Sequence, residues 1–465
     1  MSIWIPDLSA HPGPRYRALA LAIEAAVKSG ELSPGTKLPP HRILADALGV
    51  TVGTVARGYA EAERRHLVSA QVGSGTYVRA PAMPQASFRI AAEEREQDSV
   101  LDLSLSLVVP SPREHDLAAL LRELADDRLA LREALDYQPE GGPRRQRELA
   151  AHWLRARGVE ADPARVLLCN GGQHGITLAL QALTRPGDLV CAEGLSYPGF
   201  IAAARQLHLR TLPAPIDEHG LLPEPLDALC RQYQPRLLYC MPGLHNPTCV
   251  TTPEARRREI AAIAERHGLW LVEDDVQSGH GEPIAPPLAA LAAQRTLHIH
   301  SAAKLLAGGL RVGFLTVPAT LLERVRTVLR SHCWMAPPLM MEVASRWLAS
   351  PRGQARLEWQ RQELRARQAL AAEYLTGYDY RAHAEGFNLW LLLPEPWRSG
   401  PFVARLLSRG VRVQPAETFA VGRYPAPQAI RLCLSSAPSR ERLAEGLAVI
   451  RATLAEEPAL ESAVF

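Results

Sequence analysis

From about residue 101 the chain alternates short, unbroken apolar runs with longer stretches of helical periodicity. No other feature restricts the fold as much. Val166-Leu167-Leu168-Cys169, Leu237-Leu238-Tyr239-Cys240, Leu269-Trp270-Leu271-Val272 and Leu297-His298-Ile299-His300 each have strand length, and Ile176 to Leu183 reads as an apolar helix. A strand apolar on both sides must be covered on both faces. Strands alternating with helical stretches therefore predict an α/β domain with a mainly parallel sheet. Polar groups follow every run: Asn170-Gly171-Gly172-Gln173, Asn246-Pro247-Thr248, Glu273-Asp274-Asp275 and Ser301-Ala302-Ala303-Lys304. Open α/β sheets bind ligands outside the carboxyl ends of their strands, so these groups mark the candidate site.

Residues 11 to 79 follow a different pattern. Tyr16, Leu19, Ile23 and Val27 form one helical stripe that Ser29-Gly30 stops. Pro39-Pro40 opens a second, short helix with Ile43, Leu44, Ala47 and Leu48 expected inward, and Gly49 makes a tight turn. Thr51 is placed to cap a third helix carrying Val55, Tyr59 and Ala62 on its inner face. Two helices joined by a short glycine turn make a helix-turn-helix. Leu67 to Gln71 and Thr76-Tyr77-Val78 then flank Val72-Gly73-Ser74-Gly75, a hairpin with a glycine-rich tip, which completes a winged helix. Arg42, Thr51, Thr54 and Arg57 fall on or beside the outer face of the second and third helices, where phosphates and base edges of double-stranded operator DNA would be met.

Composition closes off other classes. With 47% hydrophobic and 22% charged residues, the 465-residue chain is neither disordered nor a coiled coil. No stretch approaches 18 apolar residues, and Met1 to Pro14 lacks a basic region followed by an apolar one. Seven scattered cysteines without a C-x-x-C pair read as reduced thiols, with neither a disulfide frame nor a zinc site. The expectation is an unexported, cytoplasmic protein without a membrane span.

One compositional fact bears on chemistry. Of 52 lysines and arginines, only Lys28, Lys37 and Lys304 are lysine. An amine can lose its proton and form a Schiff base; a guanidinium can do neither. Ser301-x-x-Lys304 fits the pattern of penicillin-binding enzymes, but no later lysine exists to complete their K-T-G. No phosphate-binding P-loop and no H-E-x-x-H are present. His298 and His300 read as core or rim histidines, with no metal implied. The groups that remain suit pyridoxal phosphate. Lys304 offers the amine, Asp274 or Asp275 a carboxylate for the pyridine nitrogen, and Asn246 a donor to the phenolic oxygen. Gly171-Gly172-Gln173 offers a helix N-terminus for the phosphate, completed by Ser301 and Arg311.

Two resemblances sharpen this reading. Ser29 to Leu32, Pro34-Gly35, Leu38 to Arg42, Leu48 to Thr51, Thr54-Val55 and Gly73-Ser74-Gly75-Thr76 resemble the DNA-binding domain of GntR-type bacterial regulators. The likeness departs at Val52, where that family usually has arginine. Asn246-Pro247-Thr248, Glu273-Asp274-Asp275, Ser301-x-x-Lys304 and Gly309-Leu310-Arg311-Val312-Gly313 resemble the fold-type I aminotransferases. This second likeness implies Lys304 as the Schiff-base residue, Asp274 on the pyridine nitrogen and Asn246 on the phenolic oxygen. It also implies Gly172, Gln173, Ser301 and Arg311 on the phosphate, Tyr197 stacked on the ring, and Arg431 clamping an amino-acid carboxylate. Tyr137 resembles the tyrosine that reaches the phosphate of the neighbouring subunit, which implies a homodimer. At Val276 the family usually has a tyrosine that donates to the phenolic oxygen.

End to end, the chain resembles the MocR-type regulators. The implied architecture is a winged helix-turn-helix over residues 1–80 and a linker over 81–100. A large pyridoxal-phosphate-binding α/β domain follows over 101–324, and a small C-terminal α/β domain over 325–465. Two functions remain open. One is a regulator whose aminotransferase-like part senses pyridoxal phosphate or an amino compound; the other is an aminotransferase carrying a DNA-binding domain.

Overall fold

The computed structural model describes residues 4–9, 11, 13–29, 31–32, 36–65, 67–71, 75–78, 100–278 and 285–456. The chain forms two compact units, Met1–Arg89 and Ile90–Phe465.

The first unit contains the helices Arg15–Ser29, His41–Leu48 and Val52–Arg64 and the antiparallel strands Val68–Gln71 and Gly75–Val78, with Val68 opposite Val78. Leu19, Ile23, Leu44, Val55, Tyr59, Ala62, Val68 and Val78 are buried together. The first and third helices lie close: a Cβ on Gly58 would stand 2.7 Å from Leu19 Cδ2. Gly49 ends the second helix at φ +60, a left-handed conformation that glycine adopts without strain. The third helix starts at Thr51, whose side-chain oxygen accepts from the Thr54 N–H at 3.1 Å. Tyr59 donates its hydroxyl to the Pro39 carbonyl at 2.8 Å, joining the third helix to the start of the second.

The second helix corrects one expectation. Its buried residues are Leu44 and Ala45, whereas Ile43 is 44% exposed and Ala47 is also exposed. A helix of two turns packs along one narrow stripe, and Ile43 and Ala47, four apart, share the stripe beside it. Gly73 and Ser74 lie outside the described residues, as does nearly all of the expected linker.

In the second unit a seven-stranded sheet runs in the order Val166–Cys169, Gly313–Thr316, Thr296–Ser301, Trp270–Asp274, Leu237–Cys240, Leu189–Glu193, Arg210–Ala214. Gly313–Thr316 is antiparallel to both neighbours, and the other pairings are parallel. Both faces are covered. Leu167, Tyr239, Val272, Ile299 and Leu315 pack with the helix Gly172–Leu183 and with Val325 and Leu329 of the helix Leu322–Cys333. On the other face Leu168 and Phe314 pack with Met341 and Trp347, and Leu238 and Leu271 with Ile260 and Ile263.

A smaller antiparallel sheet has the order Tyr380–Ala382, Asn388–Leu392, Ala429–Cys433, Gln414–Pro415 and its own core, including Leu389, Phe402, Ile430 and Leu447. The helix Pro351–Tyr374 serves both cores, with Leu357 in the one against the large sheet and Ala371 in the smaller. Leu101–Asp102 pairs in parallel with Val411–Arg412, so the first described segment of this unit is held by the small sheet's neighbourhood. Among the described residues no helix is long and apolar enough to cross a membrane.

The cap at Thr51 is testable. Thr51→Ala should destabilise the winged unit by about 1 kcal/mol, as losing a helix N-cap does. Urea unfolding followed by exchange of amides in the third helix would measure it. An unchanged midpoint would show that the cap adds nothing.

Candidate functional site

The site grows from the register of the central strands. Asp274 stands opposite Ile299, and Ser301 opposite Gly313. Side chains alternate between faces, so Asp274 and Ser301 project on the face of Val272 and Ile299, beneath the helix Gly172–Leu183.

That helix begins in a tight cradle. Its N-cap Gly171 has φ +83, where a Cβ would also stand 2.7 Å from Arg311 Nη2. A Cβ on Gly313 would meet the Gly171 carbonyl carbon at 2.7 Å, and one on Gly172 would lie 3.8 Å from Ser301 Cβ. Glycine at these positions lets the helix N-terminus, Ser301 and Arg311 converge. Arg311, itself at φ +53, donates to the carbonyls of Asn170 at 3.0 Å and Gly308 at 3.3 Å. The Ser301 hydroxyl donates to the Val312 carbonyl at 3.0 Å and accepts from the Ala303 N–H at 3.1 Å. A helix start beside a hydroxyl and a guanidinium is a geometry that suits a phosphate.

The two aspartates differ in what they face. Asp274 is buried; Oδ2 accepts from the Tyr239 hydroxyl at 2.6 Å and Oδ1 from the Val276 N–H at 3.1 Å. Burial pushes its carboxyl up to about 6. Asp275 lies 3.5 Å from His298 Nε2 and accepts from the Ser278 hydroxyl. Burial pushes its carboxyl up as well, but His298, His300 and Ser278 together draw it down to about 2. His298 sits opposite Glu273, buried behind the sheet, and His300 Nδ1 accepts from the Ser301 N–H at 2.7 Å. No group of three potential metal ligands exists among the described residues. Tyr239 had no part in the sequence-based reading, since a tyrosine within an aliphatic strand reads as core. Its ring also stacks on Phe200, with centroids 4.2 Å apart.

Lys304 is half-buried, and its Nζ donates to the Ser106 carbonyl. Burial draws its ammonium down to about 8. Cys433 and Asp274 oppose this, while Arg431 and Arg311 add to it. An amine near that value is available as a nucleophile at neutral pH.

Asn246 and Arg431 meet directly: Arg431 Nη1 donates to Asn246 Oδ1 at 2.8 Å, and Nη2 to the Ser104 carbonyl at 2.5 Å. The guanidinium lies 4.7 Å from the centre of the Phe419 ring. With Asn246 Oδ1 occupied, the amide's N–H groups remain to donate. Neither Ser104 nor Ser106 was singled out in the sequence, because backbone carbonyls leave no motif. Gln173 donates to the Gly199 carbonyl at 2.9 Å, and a Cβ on Gly199 would overlap both Gln173 Oε1 and the Tyr197 ring. Burial, reinforced by Asp274, pushes the Tyr197 hydroxyl up.

Tyr137 is placed apart from this cluster. It is 82% exposed and packs on Trp334, with ring centroids 5.7 Å apart. In the winged unit Arg42, Thr51, Arg57 and Gly75 are exposed, while the Thr54 hydroxyl is tied to that of Thr51 at 2.9 Å. Lys37, which sequence reasoning left unassigned, lies beside the hairpin, with Nζ 5.9 Å from the centre of the Tyr77 ring.

The residues present fit pyridoxal phosphate. The glycine cradle leaves no room for a Cβ beside Arg311 and Val276, and Gln173 Oε1, Asn170 Oδ1 and Arg431 Nε are buried without a hydrogen-bond partner. Such orphans are costly unless something binds them.

Known proteins agree with both units. Residues 15–78 match the gntR family of bacterial regulatory proteins, and residues 109–450 match the class I and II aminotransferases, a pyridoxal-phosphate-dependent fold family. The HTH-type transcriptional regulator YdeF of Bacillus subtilis is 30% identical over 97% of this chain and 96% of its own. The probable rhizopine catabolism regulatory protein MocR of Rhizobium meliloti is 28% identical over 71% of each chain. Among solved structures, the α-aminoadipate aminotransferase LysN of Thermus thermophilus is similar, with a TM-score of 0.69 and 26% identity over 78% of this chain and 95% of that one. An archaeal alanine:glyoxylate aminotransferase shares the fold, with a TM-score of 0.70 and 23% identity over 77% of this chain and 91% of that one. The chain belongs to the MocR-type regulators, in which a GntR winged helix is fused to a class I and II aminotransferase domain.

Lys304 should cost stability when the site is empty. Its ammonium titrates at about 8 in the fold against 10.5 ordinarily, so the unfolded chain binds the proton more tightly between these values. The penalty is full below pH 8 and is relieved as pH rises towards 10.5. Lys304→Met should therefore stabilise the cofactor-free protein at pH 7, by up to about 3 kcal/mol at roughly 1.4 kcal/mol per unit. Denaturant titrations should show the gain shrinking in alkali. A variant less stable than the parent at pH 7 would contradict it.

Proposed function

We propose that this chain is a DNA-binding transcriptional regulator whose aminotransferase-like unit holds pyridoxal phosphate on Lys304 and senses an amino compound there. What carries the reading is convergence on one sheet edge: a weakly basic lysine, a buried carboxylate at Asp274, the Asn246–Arg431 pair and the cradle at Gly172. When bound, pyridoxal phosphate supplies an aldehyde that condenses reversibly with amines. Lys304 provides the amine that holds it. Asp274, kept in place by Tyr239 and the Val276 N–H, accepts from the pyridine nitrogen. Asn246 donates to the phenolic oxygen, and Tyr197 lies against the ring. Gly172, Gln173, Ser301 and Arg311 receive the phosphate. Arg431 takes the carboxylate of the effector by exchanging the Ser104 carbonyl for it, a bidentate contact that a guanidinium suits.

Arg42, Thr51, Thr54, Arg57 and the hairpin residues Gly73, Ser74 and Gly75 meet operator DNA in this reading. A homodimer accounts for the exposure of Tyr137, which reaches the phosphate of the neighbouring subunit. A cytoplasmic setting follows from these partners.

Two outcomes are expected. Borohydride reduction of the protein loaded with pyridoxal phosphate should label Lys304 in a peptide map; labelling at Lys28 or Lys37 would refute the assignment. Arg431→Ala should abolish the response of DNA binding to an amino-acid effector while leaving the absorbance of bound cofactor intact. Lost absorbance would instead make Arg431 a support of the cofactor site.

A further inference from the structure

The opposite edge of the large sheet carries a second concentration of charge. Where the strands Leu189–Glu193, Leu237–Cys240 and Trp270–Asp274 begin, a cavity of about 200 Å³ is lined by Leu183, Arg185, Asp188, Arg236, Trp270 and Arg324. Asp188 is the one carboxylate in this lining, and it is already committed. Its Oδ2 accepts from the Arg185 N–H at 2.9 Å and lies 3.7 Å from Arg236 Nε. Among the described residues no carboxylate pairs with the guanidinium of Arg185 or Arg324. Neighbouring arginines differ: Arg295 pairs with Glu265 at 3.0 Å and Arg326 with Glu323 at 2.7 Å.

Three guanidiniums thus line a hollow with one carboxylate, which Arg236 approaches, so two positive charges have no opposite charge in the lining. Gathering like charges costs energy, and an anion that enters converts repulsion into charge-assisted hydrogen bonds. Each guanidinium presents a planar fork of donors matched to oxyanions. Leu183 and the Trp270 indole supply an apolar wall, and Arg295 lies 5.8 Å from the centre of that ring. Helix and strand ends fix the lining: Arg185 just past the helix Gly172–Leu183, Arg236 just before a strand, and Arg324 in the first turn of Leu322–Cys333.

We propose that this hollow is a second anion site, separate from the cofactor site, that takes a phosphate group. Two sources share that chemistry, a small phosphate ester and the backbone of bound DNA.

The experiment uses the full-length protein saturated with pyridoxal phosphate, so that the cradle at Gly172 is filled. The parent is compared with the Arg185→Gln/Arg324→Gln double variant, both positions being exposed. Inorganic pyrophosphate should raise the melting temperature of the parent, and the double variant should need at least about tenfold more, a loss of about 1.4 kcal/mol. For the second source, affinity for a mixed-sequence DNA duplex is measured against salt. If DNA phosphates occupy the hollow, the slope of log affinity against log salt should fall by about 2 in the double variant, close to one per lost contact. Either change supports the site and names its source. Equal stabilisation of both proteins by pyrophosphate, or of neither, together with an unchanged salt slope, would overturn the proposal. Because the cofactor's absorbance is read in the same samples, failure of this site is distinguishable from failure at Lys304.

Discussion

The pairing of one strand, Thr296–Ser301, organises the candidate site. It is bonded in parallel to Trp270–Asp274 and antiparallel to Gly313–Thr316. The first pairing sets Asp274 opposite Ile299; the second sets Ser301 opposite Gly313 and brings Arg311 over Gly171. Lys304 follows three residues after Ser301. A slip of one residue would turn Asp274 to the far face, among the histidines, and bring Glu273 or Asp275 to the near one. The apolar residues of this strand, Leu297 and Ile299, are fully buried and hold the register in place.

Burial then sets the chemistry. It raises the Asp274 carboxyl to about 6 and lowers the Lys304 ammonium to about 8, moving both towards neutrality. Each is a cost to the fold that a ligand carrying a pyridine nitrogen and an aldehyde would remove. The Arg431 guanidinium gathers three separate segments: its own strand in the small sheet, the loop at Asn246, and Ser104 just beyond the strand Leu101–Asp102. Ser104 and Ser106 thus offer carbonyls to the two cations that a ligand would need, Arg431 and Lys304. The segment that carries them leads back to the winged unit along the chain.

Much of this was legible because apolar runs and polar strand ends are sequence-local. The winged helix was read from helical stripes and turn glycines, and the α/β unit from four-residue strands. What escaped is what depends on tertiary partners. Ile43 and Ala47 are apolar at helical spacing, yet both are exposed, because the two-turn helix buries the stripe of Leu44 and Ala45 instead. Tyr239 looked like core and also holds Asp274. The carbonyls of Ser104 and Ser106 carry no side-chain signal. The choice between Asp274 and Asp275 rests on resemblance alone; in the structure His298 Nε2 lies 3.5 Å from Asp275 Oδ2. The arginine hollow was invisible because its lining comes from four separate stretches of chain.

On the proposed function, occupancy at Lys304 should change how the chain binds DNA. The direct measurement is affinity for an operator duplex selected from random sequence by the full-length protein. It is taken with pyridoxal phosphate alone and with an added panel of amino acids, for the parent and Lys304→Ala side by side. The account predicts that at least one amino acid shifts the parent's affinity and that the shift is lost in the variant. A shift of equal size in Lys304→Ala would contradict it.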